Sequence, residues 1–411
     1  MTWENTRLKY LCVDSGQYGL NIPSDSYTTS GIRLIRTSDI TSSGMLKPAD
    51  TAVYVETTLE ARHQLRQGDV LLSRSGTLGR SFLAPAEADS QTFAGFLVRF
   101  RPKDNIDPRF LQYVTQSALF QGIVHAEAVS STIQNFNADR YANIPIRAPG
   151  EGEQRRIADF LDAETSRIDR LSTMLQNSVS LLEKRITGVI DDELSAAADR
   201  IIPLKYLASL VDTEHKTAPH VPGGGYWIVG TSAVRNGLLN HDALYETDVN
   251  AYREWTRRRR PRPGDVLLSR EAPVGEIAMY RTSDPHIAIG QRMVLVSPNS
   301  SDIEAEYLTW ALLSSRVSQF FDVTTQGSLH PHLNMRDIGS IPVIWCDLQR
   351  QAVALRHIDT EVRSTRALCA ARTQMQQLIA ERRQALITAA VTGQFDVSTA
   401  SGRNVTDGVQ A

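Results

Sequence analysis

The residues best suited to chemistry sit in a loop that occurs twice. Ser73-Arg74-Ser75-Gly76-Thr77 follows Val70-Leu71-Leu72 and gathers hydroxyls, a guanidinium and a glycine. Ser269-Arg270-Glu271-Ala272-Pro273 follows the same apolar tripeptide later in the chain. Such groups donate to phosphates and read base edges, Arg toward guanine and Glu toward cytosine. The strand before the loop is unchanged between copies, whereas the loop diverges after the shared Arg. That pattern suits one scaffold presenting two specificities, and equally a duplicated core whose surface has drifted. The candidate nucleic-acid contacts are therefore Ser73, Arg74, Ser75, Thr77, Ser269, Arg270 and Glu271. Arg36 and Ser38 join them, as do Thr231 and Ser232, polar residues just after an apolar run in each copy. Gln91 and the pair Gln291-Arg292 precede predicted strands and are either base contacts or ordinary surface positions. Arg257 and Arg258 open the run Arg257-Arg258-Arg259-Arg260-Pro261-Arg262, which is either a solvated face or, beside Tyr252 and Trp255, a phosphate-tracking patch.

Nothing nominates a catalytic group. A phosphate-binding P-loop needs Gly-Lys, a dipeptide that does not occur here. Gly76-Thr77-Leu78-Gly79 and Gly223-Gly224-Gly225 lack the strand–turn–helix spacing of a dinucleotide site and are expected to be loop glycines. Asn143-Ile144-Pro145-Ile146 lacks the second proline and the aromatic of an amino-methyltransferase tetrad. The nine histidines show no metal spacing, and His330-Pro331-His332 is expected to be a loop rather than a metal site. No Gly-x-Ser-x-Gly elbow supports a Ser-His-Asp triad. The chain is expected to bind rather than to catalyse.

The elements that must position these groups are duplicated. Gly68-Asp69-Val70-Leu71-Leu72-Ser73-Arg74 recurs unchanged as Gly264–Arg270, and Leu8-Lys9-Tyr10-Leu11 recurs as Leu204–Leu207, both at an offset of 196. Further on, Ile144-Pro145 matches Ile341-Pro342 at 197, and Asn137, Asp162 and Glu164 match Asn334, Asp359 and Glu361 at the same offset. Ordered matches at one spacing indicate a tandem duplication. In each copy, Val70–Leu72, Phe96–Phe100 and Met293–Val296 read as strands, while Phe110–Val114 and Tyr307–Ala311 read as short helices.

The second part of each copy is helical. Ile157, Leu161, Glu164, Ile168, Leu171, Leu175, Ser178 and Leu182 follow a 4,3 spacing, a heptad seam. Its counterpart is Ala354, Ile358, Glu361, Thr365, Leu368, Arg372, Met375 and Ile379. No Gly or Pro interrupts 153–187 or 343–392, which predicts two long helices. Two seams of matched length are expected to pair with each other; two separate amphipathic helices packed on their own domains are the alternative.

Composition bounds the remaining choices. The 411 residues hold 44 Lys+Arg against 46 Asp+Glu. Residues 1–150 carry 15 basic against 14 acidic side chains, and residues 199–345 carry 15 against 16. Neither globular part is basic overall, so any DNA affinity must arise from local patches and partner chains. Cys12, Cys346 and Cys369 are too few and too far apart for a disulfide framework, which fits a reducing cytoplasm. The start MTWENTRLKYL has no apolar signal core, and no apolar run approaches the length of a membrane span, so no membrane role is expected.

Two variable globular regions alternating with two heptad helices, each region carrying Leu-Lys-Tyr-Leu and Gly-Asp-Val-Leu-Leu-Ser-Arg, resemble a known layout. Each helix is entered through Ile-Pro and then Glu153-Gln154 or Arg350-Gln351, and the second ends in the string from Leu378 to Gln394. Over about residues 5–395 the chain resembles the specificity subunits of type I restriction-modification systems. The resemblance implies an α+β fold class: two similar mixed α/β target recognition domains separated by two long helices forming an antiparallel coiled coil, a pseudo-twofold tandem repeat. The expected divisions are target recognition domains at 1–150 and 199–345, spacer helices at 151–198 and 346–395, and a flexible tail at 396–411. It further implies a non-catalytic subunit in which each domain reads half of a bipartite double-stranded DNA target. The helices would space the halves and dock two copies of an adenine-specific DNA methyltransferase subunit, and the assembly would recruit restriction subunits. S-adenosylmethionine, ATP and Mg would belong to those partners, and this chain would hold no cofactor or metal. A non-catalytic tandem-repeat scaffold binding protein or carbohydrate is the alternative reading.

Overall fold

Three consecutive apolar residues, Val-Leu-Leu, suit a strand covered on both faces. In the computed structural model, which describes residues 3–41, 43–129, 135–213, 216–299, 301–327 and 331–397, both copies of that tripeptide are fully buried. The chain divides into two compact units, residues 1–176 with 374–411, and residues 177–373.

In the first unit, a four-stranded antiparallel sheet runs in the order Gln17–Tyr18, Leu97–Phe100, Val70–Ser73, Ser81–Leu83. Val70 and Leu72 face a core with Phe100, Phe110, Phe120 and Tyr141. Leu71 faces the other way, against Ile35, Phe82, Phe93 and Leu97, as alternation along a strand requires. Ile35 and Phe93 belong to a three-stranded sheet in which Ile32–Ile35 pairs antiparallel with Val53–Val55 and parallel with Thr92–Phe93. The helix Pro108–Gln116 is capped by Asp107, which accepts from the N–H groups of Arg109 and Phe110. Glu4–Arg7 pairs antiparallel with Pro145–Ala148 just ahead of the first long helix.

The second unit repeats this plan. Its four-stranded sheet is ordered Ala208–Asp212, Met293–Pro298, Val266–Ser269, Ile277–Met279, and its three-stranded sheet Tyr245–Thr247, Tyr226–Val229, Ile287–Ile289. Arg200–Pro203 pairs with Pro342–Trp345 ahead of the second long helix. An added hairpin, Val234–Arg235 with Leu238–Leu239, turns at Asn236-Gly237, both with positive φ.

The repeated heptapeptide is explained by this scaffold. Gly68 and Gly264 adopt φ of +89° and +93°, which a side chain disfavours. Asp69 is buried, accepting from the Arg66 N–H at 2.8 Å and from two Arg101 nitrogens at 2.7 Å each. Asp265 accepts from the Arg262 N–H at 2.7 Å, from Arg259 at 2.9 Å and from the Ser297 hydroxyl at 2.7 Å.

The long helices span Glu151–Ala197 and Leu348–Thr392. The first continues through Gly188, past the glycine-free stretch, because Ile190 and Leu194 beyond it are buried in the second unit's core. Within each unit the two helices run antiparallel. In the first unit Asp169 pairs with Arg383 and Phe160 packs on Phe395. In the second, Ser178, Arg185 and Glu193 meet Arg372, Glu361 and His357 in turn.

The inward row differs from the predicted seam. Ile157, Leu161, Ile168 and Ile358 are buried, and Leu175, Leu182 and Ile379 are half-buried, as expected. Leu171, Leu368 and Met375 are 45%, 50% and 51% exposed. The inward places are taken one residue later by Thr165, Ser172, Val179, Cys369 and Gln376. Small or hydrogen-bonding side chains serve there: Thr165 Oγ1 donates to the Leu161 carbonyl at 2.6 Å. A strict seven-residue register drifts against a straight helix of 3.6 residues per turn, so hydrophobicity alone misplaces the row. The tail expected beyond residue 395 lies, from 398 onward, outside the described residues.

Candidate nucleic-acid interface

The strand Ile32–Ile35 of the first unit ends in a tight turn over Thr37–Asp39. Buried Asp39 accepts the Arg36 backbone N–H at 2.8 Å and the Arg36 guanidinium at 2.8 and 3.2 Å. Hydrogen bonding to Asp39 raises the Arg36 pKa further, keeping the group cationic. This turn meets the loop after Val70–Ser73. Arg36, Ser38, Ser75 and Thr77 together line a concavity of about 460 Å³, with Tyr27, Arg80 and Phe96. Four candidates far apart in sequence thus converge on one surface.

Other candidates serve the scaffold instead. Ser73 is buried; its Oγ donates to the Thr77 carbonyl and accepts from the Arg80 N–H at 2.9 Å, closing the loop. Ser269 repeats this with the Pro273 carbonyl at 2.6 Å and the Glu276 N–H at 2.8 Å. Arg74 stacks over the Tyr18 ring at 4.6 Å and donates to Asn135 at 3.2 Å. Gln91 donates to the Glu87 carbonyl at 2.7 Å and does not line the concavity. Arg270 is buried, bonded to Asp212 at 2.9 Å and to His332 Nε2 at 3.0 Å. Ser73 and Ser269 recur between copies because the loop needs them for closure.

In the second unit, half-buried Thr231 and exposed Ser232 occupy the corresponding turn, with Gly230 where the first unit has Arg36. The outward group after Arg270 is Glu271, 3.3 Å from Arg292 and 3.5 Å from His332 Nδ1. Arg270 can only donate, so His332 Nε2 accepts and the ring hydrogen sits on Nδ1, on the side where Glu271 lies 3.5 Å away. His332 is a polar partner in this network, in the loop expected from the sequence; His330 lies outside the described residues. Gln291 accepts from the Thr217 hydroxyl at 3.3 Å.

The arginine run follows the helix Val249–Trp255. Arg253, Arg257, Arg258, Arg260 and Arg262 are exposed, and Arg258 donates to the Asp212 carbonyl at 3.0 Å. Tyr252 and Trp255 are buried rather than interleaved with them, packing against Ile228 and Ala288. Lys216 and Arg260 lie over their outer faces at 5.6 and 5.5 Å. The patch therefore offers charge, without stacking platforms.

Sequence reading missed Tyr27, Arg80 and Phe96. The apolar pattern puts Phe96 within a strand, whereas the strand begins at Leu97 and Gly95 signals the turn before it. Among the described residues, no cluster of three or more His, Cys, Asp or Glu could hold a metal, and no helix is long and apolar enough to cross a membrane.

Residues 2–180 match the family model of the type I restriction modification DNA specificity domain. The chain is 21% identical over 278 residues to the EcoKI specificity subunit of Escherichia coli strain K12, covering 62% of this chain and 57% of that one. It is 22% identical over 174 residues to the StySPI specificity subunit of Salmonella potsdam, covering 41% and 36%. The aligned regions thus span less than two thirds of either relative. A chain solved in work on complex assembly and conformational transition of the type I R-M system shares the fold, with a TM-score of 0.67 at 17% identity over 95% of this chain and 97% of that one. The family match thus covers the first copy and the helix that follows it, while the shared fold extends over nearly the whole chain.

Proposed function

We propose that the chain is the non-catalytic DNA-recognition subunit of a type I restriction-modification assembly acting in the cytoplasm. Each unit reads one half of a bipartite double-stranded target. The observation that carries this reading is the pair of diverged outward loops on one conserved scaffold: Ser75, Thr77, Arg36 and Ser38 in the first unit, Glu271, Arg292, Thr231 and Ser232 in the second. Hydroxyls, carboxylate and guanidinium are the groups that read base edges. Arg257 and Arg258 supply phosphate contacts to the second half.

The partners are two adenine-specific methyltransferase subunits and the restriction subunits, which bring S-adenosylmethionine, ATP and Mg. Exposed apolar side chains on the long helices offer docking surface for the methyltransferases: Leu171, Met174, Met375 and Leu378 in the first unit, Leu181 and Leu368 in the second. Footprinting with the cognate methyltransferase tests the proposal, and two protected half-sites around an unread gap are expected. A single continuous site, or no protection, would overturn it. Methylome sequencing of a host carrying the system would identify the half-sites.

A further inference from the structure

Phe96 is held 63% exposed although its neighbours in sequence are buried. It is the third residue of a turn closed by the Leu97 N–H and the Ala94 carbonyl at 2.9 Å. Two more bonds fix this backbone: Gly95 N–H to the Leu20 carbonyl at 2.8 Å, and Arg74 N–H to the Phe96 carbonyl at 2.9 Å. Asn21 packs over the same turn, its Oδ1 1.9 Å from where a Cβ at position 95 would stand, so a larger residue there would have to displace it. The ring is thus presented by a rigid turn, on the wall of the concavity that Arg36, Ser38, Ser75 and Thr77 also line.

Those four neighbours are hydrogen-bonding groups, matched to the donors and acceptors of base edges. The apolar feature of a base-pair edge in the major groove is the thymine C5-methyl group. Resting on the DNA reading above, we infer that Phe96 is a specificity-determining residue of the first unit, packing on the methyl group of one thymine in its half-site. The corresponding residue of the second copy, 196 positions on, is Arg292, ion-paired with Glu271 at 3.3 Å. The second unit presents charge at that place, so methyl reading through this position is confined to one half-site.

The test uses the full chain with its methyltransferase on target DNA in which each thymine is replaced in turn by uracil, which pairs identically and lacks the methyl group. Wild type is expected to bind about fourfold more weakly at one uracil position in one half-site, the worth of one buried methyl group. Phe96→Ala should bind thymine DNA more weakly and lose nothing further at that uracil, while Phe96→Leu should keep part of the discrimination. Because the ring is exposed, Phe96→Ala should unfold at the wild-type temperature. If wild type ignores every uracil, or Phe96→Ala discriminates as wild type does, the assignment falls and the DNA reading stands. The assignment also falls if Phe96→Ala loses the methyltransferase while keeping thymine over uracil, since the ring is then a protein contact. No protection of bipartite DNA by wild type would overturn the functional reading itself, and this inference with it.

Discussion

Arg270 Nη1 lies 2.9 Å from Asp212 Oδ2, with both side chains largely withdrawn from water. Removing Arg270 takes a charge-assisted partner from half-buried Asp212, at a cost of about 1.5–3 kcal/mol. Arg270→Ala should therefore lower the stability of the second unit in chemical denaturation. Loss of DNA binding through the second half with unchanged unfolding would instead make Arg270 a direct reader.

Gln154 and Gln351 occupy equivalent buried places near the starts of the long helices. Gln154 Oε1 accepts the Asp107 N–H at 3.0 Å, and Gln351 Oε1 accepts the Glu304 N–H at 2.8 Å. Each Nε2 also donates to a carbonyl just ahead of the helix, Pro149 or Cys346. Gln154→Ala orphans these groups and should cost about 1–3 kcal/mol. Hydrogen exchange should show faster opening at residues 107–110 and 151–158, and unaltered protection there would refute the latch.

The inward rows of the long helices can be told from the exposed ones by substitution. Leu161→Ala and Ile358→Ala should each cost about 2–5 kcal/mol by opening cavities. Leu171→Ser and Met375→Ser should stay within about 0.5 kcal/mol in the isolated chain. Equal effects on thermal unfolding would restore the strict heptad seam.

The thiols differ in reactivity for a physical reason. Burial, with Asp14 nearby, pushes the Cys12 thiol up to about 12, and burial raises Cys346 as well. The thiolate is the nucleophile, so at pH 8 only about one Cys12 in ten thousand is ionised. Cys369 is also raised, by partial burial and then Glu183, but is less enclosed than the other two. Iodoacetamide at pH 8 should modify Cys369 first and leave Cys12 and Cys346 intact until unfolding; mass spectrometry showing early Cys12 labelling would contradict this.

Charge removal from the second unit's patch should act without regard to sequence. Arg257→Ala and Arg258→Ala should each reduce the salt slope of binding by about one and weaken all targets alike. A change in sequence preference would place these side chains at base edges instead.

Much of the scaffold was legible because Gly68–Arg74 repeats as Gly264–Arg270 and because Val-Leu-Leu can be buried on both faces. The loop candidates divided according to what repetition means. Ser73, Ser269 and Arg270 recur between copies because they close loops and pair in the interior. Ser75 and Glu271, which differ, face outward. Direction of a side chain was the missing quantity: Phe96 adjoins a strand by pattern yet lies on a turn, and Leu171 or Met375 fits a heptad yet misses the buried row. Such choices depend on contacts between distant segments, as when Tyr113 meets Thr165, and no local pattern encodes them.

Loop closure by Ser73 and Ser269 has a consequence for descent. The hydroxyl that seals each loop also shields the sheet from whatever follows it, so outward residues can be exchanged at little energetic expense. If each unit reads one half-site as proposed, a lineage can then rewrite one half of its recognised word by a few substitutions while inheriting the other half, and its fold, intact.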